Sequence, residues 1–547
     1  MSRNAPAVQP FAGHASLSAS ILLLGLVMAG FLPPGLQAEV VTTIGRNFPA
    51  SRYGVDSTGL PGDGNGAVGP AHFVELINGR FSVYDKATGG RVASATDLEF
   101  WKNAGAPLAA GWIPADPRVV YDAVSHRWFA SMIDFDPSGV DPGHNHFLLA
   151  VSATPDPAGS WTGFKFPVDP TRGFFGDFPT LGIDAKGVYL SADMFDLTGR
   201  SVGPTLVTLP KKDLVAASPT IANRKSFGQL TYAARGYILQ PAVATGSPTT
   251  TGSLLATADL GYDFADHTTL FLSTVVGVDT PATETLPAKT VITVPAYTSP
   301  INPIQPSGYD GLDDGDARFS ACVRRVGDIL YAVHGTEVGD RAAIRWYRIN
   351  ALNGALLESG TLSDPELDLF YPSIAANEAG VVVIAYNGCS PTTYISAYAV
   401  TGQPVGGTLQ FGPPLLLVAG LDSYDTSDPS SGDPTSRWGD YSATTVDPED
   451  PNRFWTIQTY PVDAFTWATQ VTELITGPAS LRISQEGAQL AVRWPFTAVG
   501  YELQVRESLD SAAPWKPATV TPEADGPEWK ATLPALGDVG YYRLAKP

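Results

Sequence analysis

The chain is 547 residues long and carries 34 Lys+Arg against 54 Asp+Glu, a formal net charge of −20. That excess of carboxylates excludes a nucleic-acid or anionic-membrane binder, which needs clustered Lys and Arg. A hydrophobic content of 44% excludes a disordered acidic chain. With 55 Gly and 47 Pro among many aromatic, Val and Thr residues, composition points to a β-rich protein with frequent turns.

Residues 1–38 read as a secretory signal peptide. Arg3 is the only charged residue before an apolar run at 21–32 (ILLLGLVMAGFL), which is too short for a membrane span. Pro33, Pro34 and Gly35 break that run, and Ala38 offers a small residue for cleavage. The expected product is a secreted monomer with no membrane span after cleavage. Its two cysteines, Cys322 and Cys389, are permitted a disulfide in an exported compartment; two buried thiols fit nearly as well.

A pattern then recurs about every 50–80 residues. A turn rich in Asp, Gly or Pro leads into a short strand of small residues, then a tight turn, then an aromatic strand. The first strands are predicted at 69–74, 116–122, 176–181, 239–243, 316–320, 370–374 and 438–443. Seven such units without amphipathic helices predict an all-β fold, a seven-bladed β-propeller over 39–476. The last unit shows only three strands, so segment 39–48 (EVVTTIGRNF) is expected to add its outer strand and clasp the ring. From 477 to 547 six or seven short alternating strands predict a small β-sandwich. This tail resembles the fibronectin type III-like domains of secreted bacterial proteins.

The octapeptide at 154–161 (TPDPAGSW) resembles an Asp-box, the turn motif of sialidase-like (BNR-repeat) propellers. Thr154, Asp156, Ser160 and Trp161 fall in register, with the glycine displaced by one to Gly159. The resemblance implies a folding device between the third and fourth strands of a blade. The carboxylate accepts backbone N–H bonds, and the Trp plugs between adjacent sheets. No set of three arginines with a tyrosine–glutamate pair maps onto a sialidase active site.

Blade-opening strands begin near one channel mouth, so their residues are candidate ligand contacts: Asp116, Asp177, Asp316, Arg318, Tyr371, Arg437, Trp438 and Asp440. Carboxylates bind sugar hydroxyls and aromatic faces stack on sugar rings. Each Asp equally suits capping of its own loop. Asp422, Asp425, Asp428 and Asp433 crowd one loop, a candidate calcium site, and Asp310, Asp313, Asp314 and Asp316 crowd another. Neither has the spacing of an EF-hand, and a solvated acidic turn fits both. No Gly-x-Ser-x-Gly, His-Glu-x-x-His or P-loop is present. The expectation is therefore a secreted binding protein for a glycan or protein ligand at the channel mouth. The alternatives are a sialidase-like glycoside hydrolase, which needs a close carboxylate pair, and a purely structural envelope or matrix protein, which predicts a filled mouth.

Overall fold

The computed structural model describes residues 40–139, 144–245, 251–258, 264–306, 311–426, 435–478 and, with short gaps, 481–545. It is nearly all β. The expected leader lies outside the described residues, and no described helix is long and apolar enough to cross a membrane.

The first strand, β1 (Val40–Arg52), stands apart in sequence from its partners. Next comes an antiparallel meander of β2 (Asn65–Val68), β3 (His72–Ile77), β4 (Arg80–Asp85) and β5 (Arg91–Ala95), followed by helix α1 (Asp97–Asn103). Alternating apolar residues make β3 and β4 strands. The two-residue turn Asn78-Gly79 joins them, with Gly79 at φ 88°, the left-handed conformation that tight hairpins require. A second meander holds β6 (Ile113–Asp122), β7 (Arg127–Phe135), β8 (His146–Ser152) and β9 (Trp161–Pro167). A third holds β10 (Phe175–Ile183), β11 (Gly187–Phe195), β12 (Ser201–Pro210) and β13 (Lys225–Gln229). The fourth is β14 (Tyr237–Thr245), β15 (Thr251–Thr257), β16 (His267–Val276) and β17 (Thr290–Tyr297).

After β18 (Leu312–Asp313), the fifth meander runs through β19 (Val323–Val326), β20 (Ile329–Glu337), β21 (Ala342–Asn350) and β22 (Leu356–Leu362). The sixth has β23 (Asp368–Ala376), β24 (Val382–Ser390), β25 (Thr393–Val405) and β26 (Thr408–Phe411), with β27 (Leu415–Val418) added against β25. Then β28 (Ser436–Arg437) pairs in parallel with β18. The last set is β29 (Ala443–Val446), β30 (Arg453–Asp463), β31 (Thr466–Pro478) and, as its fourth strand, β1 from the other end of the chain.

Two expected opening strands are corrected. Residues 316–320 and 438–441 are irregular; the strands of those sets begin later, at Val323 and Ala443. In the first set, 69–71 is a turn and the opening strand is the earlier β2.

The opening strands pack side by side: β2 contacts β6, then β6–β10, β10–β14, β14–β19, β19–β23, β23–β29 and β29–β2. The β10–β14 and β14–β19 contacts are parallel pairings. Apolar clusters lie between successive sets. Trp101 and Trp128 fill the space between the first and second, and Phe454 and Leu474 of the last set pack against the sixth. A further cluster of Phe73, Tyr84 and Trp455 joins the last set to the first. Large aromatic residues suit this position because sheets facing each other at a wide spacing need bulky side chains to exclude water.

At that last junction Glu75 is fully buried. It accepts hydrogen bonds from Ser51 Oγ (2.6 Å), Tyr84 OH (2.9 Å) and Thr469 Oγ1 (2.5 Å), on β1, β4 and β31. Glu75→Ala leaves three buried hydroxyls without their acceptor and is expected to cost about 3 kcal/mol of unfolding free energy, with Glu75→Gln costing less. Denaturant titration at pH 7 checks this; an unchanged midpoint for the alanine variant would exclude a clasping role.

The 154–161 turn joins β8 to β9. Asp156 Oδ1 accepts from Ala158 N (3.0 Å), and Thr154 Oγ1 accepts from Asp156 N (3.2 Å). Ser160 O accepts from Ala153 N (2.9 Å). The Trp161 ring meets Phe81 and Phe100 of the neighbouring set edge-on at 5.9 and 5.2 Å. Past β31 come β32 (Arg482–Glu486), β33 (Gln489–Pro495), β34 (Glu502–Arg506), β35 (Lys516–Pro517), β36 (Glu523–Asp525), β37 (Glu528–Pro534) and β38 (Tyr541–Ala545). They form two sheets, β32-β33-β37-β36 and β35-β34-β38, over one cluster of Val492, Trp494, Leu503 and Ala531 that also takes Val41 from β1.

Candidate functional site

Four opening strands share one irregularity. In β6, β10, β14 and β23 two residues oppose one on the partner strand, at 116–117, 178–179, 238–239 and 371–372. The first residue of each bulge has positive φ: Asp116 59°, Phe178 50°, Ile238 47° and Tyr371 45°. Proline follows in three of the four, where its missing N–H takes nothing from the ladder. Such bulges bend a strand and re-aim its side chains. Non-glycine residues held at positive φ are strained, and strain of this kind clusters at functional sites.

Three of these bulges, those of β6, β10 and β23, line one end of a cavity of about 990 Å³. Asp116, Asp177, Asp316, Arg318, Tyr371, Arg437 and Asp440, seven of the eight residues expected there, do line it. Trp438 does not. It is buried against Tyr424 (ring centroids 4.9 Å apart) and donates from Nε1 to Asn387 Oδ1 at 3.1 Å. Its apolar body is satisfied by that core, so it offers no face to a ligand.

Sequence reasoning misses Asp63, Asp97, Asn78, Phe178 and the wall role of Asp313 and Asp314, all of which line the cavity. Asp63 precedes β2 and is hidden when the first unit is placed one strand too late. Alignment of Asp63 with Asp116, each at a strand opening, is the signal that finds it.

Asp63, Asp116 and Asp440 bring carboxylate oxygens within 4.8 Å of one another. The Asn78-Gly79 hairpin holds two of them. Asn78 Nδ2 donates to Asp63 Oδ2 (2.8 Å), and Asn78 Oδ1 accepts from Asp116 N (3.0 Å). Asp440 N donates to Asp63 Oδ1 (3.0 Å), and Phe178 N donates to Asp116 Oδ2 (3.1 Å). Burial, then the neighbouring Asp440, pushes the Asp63 carboxyl up to about 7. Burial, then Asp177, holds Asp116 well above the usual carboxylate range, and burial also raises Asp440. Burial raises Asp97 to about 6.

Both lining cations are already engaged. Arg318 forks onto Asp316, Nε to Oδ1 and Nη2 to Oδ2, both 2.7 Å, and stacks over Phe178 (4.5 Å). The β18–β28 pairing sets Arg437 between Asp313 (3.3 Å) and Asp440 (3.0 Å). Asp314 is buried with neither carboxylate oxygen bonded, and burial raises it well above its usual range. The acidic turn expected to be solvated is therefore part of the cavity wall; Asp310 lies outside the described residues. Arg118 is fully buried. Its guanidinium stacks at 3.6 Å over Tyr441 and donates to the carbonyls of Pro179 (3.0 Å) and Ser320 (2.8 Å).

Of the candidate calcium loop, Asp422 and Asp425 fall among the described residues. Asp422 accepts from its neighbour Ser423 N (2.8 Å), and Asp425 from Ser436 Oγ (3.4 Å). Asp428 and Asp433 lie outside the described residues. Among the described residues the carboxylates close enough to share a cation are Asp63, Asp116 and Asp440. Cys322 and Cys389 are both free, in separate apolar clusters, so the permitted disulfide is absent.

No protein-family profile matches this chain, and no curated protein sequence does. Similar solved structures include a Dyadobacter fermentans protein of unknown function (10% identity, TM-score 0.37, covering 67% of this chain and 96% of that one). They also include the Clostridium thermocellum exo-β-1,3-galactanase 1,3Gal43A (12%, 0.29, 86% and 95%) and Trypanosoma rangeli sialidase (9%, 0.32, 79% and 84%). Likenesses this distant leave function to be read from the cavity itself.

Proposed function

We propose that the chain is a secreted seven-bladed β-propeller that binds a neutral glycan in the acidic cavity at one channel mouth. On this reading it carries a fibronectin type III-like sandwich over 477–547. The seven sets of four or five strands among the described residues, the run of contacts from β2 round to β29 and back, and β1 as last-set outer strand support the propeller reading.

The observation that carries the binding reading is the cavity of about 990 Å³ with carboxylates and aromatic faces side by side. Carboxylates accept paired hydroxyl hydrogen bonds, and the half-buried Phe135 and Phe175 in the lining supply apolar surface for sugar rings. A sialic acid is disfavoured. Both lining arginines are neutralised by aspartates, and the surplus carboxylates repel another anion. A cavity this open also disfavours a purely structural role.

The test is a glycan array followed by calorimetry, with calcium and with chelator, since the 422–433 loop and the Asp63–Asp116–Asp440 group both offer oxygen ligands to that ion. Neutral glycans are expected to bind, and Asp116→Asn or Asp440→Asn to weaken binding about tenfold, the loss of a carboxyl oxygen that bonds a sugar hydroxyl. No neutral glycan bound by the wild-type chain would refute the reading.

One observation favours a second reading, a glycoside hydrolase acting on neutral sugars. The three carboxylates are close, and Asp63 at about 7 is suited to hold a proton for a leaving group near neutral pH. Turnover of neutral fluorogenic glycosides that disappears in Asp63→Asn would replace binding by catalysis.

A further inference from the structure

The other ends of the same opening strands enclose a second, smaller cavity of about 190 Å³. Its walls are largely apolar, including Val68, Val120, Val243, Val326 and Ala376. One guanidinium, Arg324 of β19, also lines it and is only 8% exposed. Arg324 Nη2 donates to Thr444 O (2.6 Å), and Nε to Ile374 O (3.4 Å). Among the described residues it makes no ion pair. Among the described residues Nη1 has no acceptor, and it is not sealed from the cavity. Adjacent Arg325 faces the other way, bonding Thr251 O and Ser253 Oγ.

A buried cation without an anion is among the costliest arrangements in a fold, because the desolvation is not repaid. Burial indeed lowers the Arg324 pKa. The acids of this cavity do not compensate it. Asp447 is held by Lys86 Nζ (2.9 Å) and Trp455 Nε1 (3.2 Å). Glu378 is exposed and pairs with no described cation. A planar guanidinium with a free terminal nitrogen matches a carboxylate oxygen. The apolar wall takes the rest of a small ligand. Asp447 and Glu378 oppose a dianion such as phosphate or a dicarboxylate.

We propose that this far mouth is a binding site for a small monocarboxylate with a short apolar body, its carboxylate held by Arg324. The site is independent of the acidic cavity and of what that cavity binds.

The test is calorimetric titration of the full chain with sodium butyrate, against butyramide and sodium chloride at matched ionic strength. Saturable butyrate binding is expected, at least tenfold stronger than butyramide. Arg324→Lys keeps the charge but loses the planar group that Thr444 O and Ile374 O hold in place, and should weaken butyrate binding about tenfold while leaving glycan binding unchanged. Glu378→Gln removes a rim charge and should strengthen it severalfold. Arg324→Met should abolish it and melt no lower than wild type, since an uncompensated cation gives way to an apolar chain. If that variant fails to fold, the lysine variant and the amide comparison decide. Equal binding of acid and amide, no binding of either, chloride binding equally well, or an unaffected Arg324→Lys would each overturn the proposal.

Discussion

A chain shortened to begin at residue 53 will be strongly destabilised and prone to aggregate. β1 pairs with β31 at nine positions, from Val40 with Pro478 to Arg52 with Ala468. Side chains extend the junction. Asn47 Nδ2 donates to Leu417 O (2.8 Å), Thr42 bonds Thr401 (2.7 Å), and Arg46 N donates to Glu473 (2.9 Å). Ser51 reaches Glu75, Phe48 packs on Tyr84 (5.3 Å), and Val41 enters the core of the C-terminal sheets. One strand thus ties the last set to the sixth, the first and the C-terminal sheets.

At about 1 kcal/mol net per hydrogen bond, losing β1 removes an amount comparable to a domain's whole stability of about 5–15 kcal/mol. It also bares the β31 edge, a template for aggregation. The shortened chain is expected to melt roughly 10 °C or more below the full one and to aggregate on gel filtration. A peptide of residues 40–52 added in excess should recover part of the loss. A shortened monomer melting within a few degrees of the full chain would show that β1 is dispensable.

Stability will fall as pH rises from about 4 to about 7, the reverse of a protein held by salt-bridged carboxylates. The raised groups set the sign. Burial lifts Asp63 to about 7 and Asp97 and Asp193 to about 6, from an ordinary value of 3.8. Between the two values the folded chain holds protons that the unfolded chain has released. Unfolding free energy therefore decreases with pH through that window and levels off above about 7. The stabilising part is fully present below the unfolded pKa. Asp85 and Asp169, whose pKa values are lowered, act oppositely only as pH drops below the ordinary value, while buried His334, lowered to about 4, opposes the fall between about 4 and its ordinary 6.5 as one group against three.

Asp63→Asn keeps the shape, tolerates the left-handed backbone and removes the buried charge. It should stabilise the chain at pH 8 by on the order of a few kcal/mol and flatten the profile. Denaturant titrations at pH 5, 6, 7 and 8 in high salt check this, since salt screens the repulsion of the −20 net charge but not a buried carboxyl. A profile that rises with pH, or an Asp63→Asn slope equal to wild type, would mean that these carboxyls stay ionised.

Much of this was readable in the residues themselves. Alternation of apolar residues, Asn-Gly and Asp-rich turns and the spacing of the units depend on a few neighbours in sequence, so the all-β repeat and its paired strands could be inferred. The recurring acids at strand openings, Asp116, Asp177, Asp316 and Asp440, were visible for the same reason, and all four meet in one cavity. What escaped depended on distant partners. Trp438 looked like a ligand contact until Tyr424 and Asn387 closed over it, and 316–320 looked like a strand although no partner strand pairs with it. Asp63 acquires its raised pKa from burial and from the carboxylate of Asp440, 377 residues away, whose backbone N–H bond to Asp63 pulls the other way. Arg324 and Arg325 are adjacent and chemically identical in sequence. Strand alternation sends one to the smaller cavity and the other to the neighbouring set, and only the packing of strands far apart in the chain decides which faces a cavity. Local pattern determines which elements form; burial and charge environment, which govern chemistry, are properties of the assembled sheets.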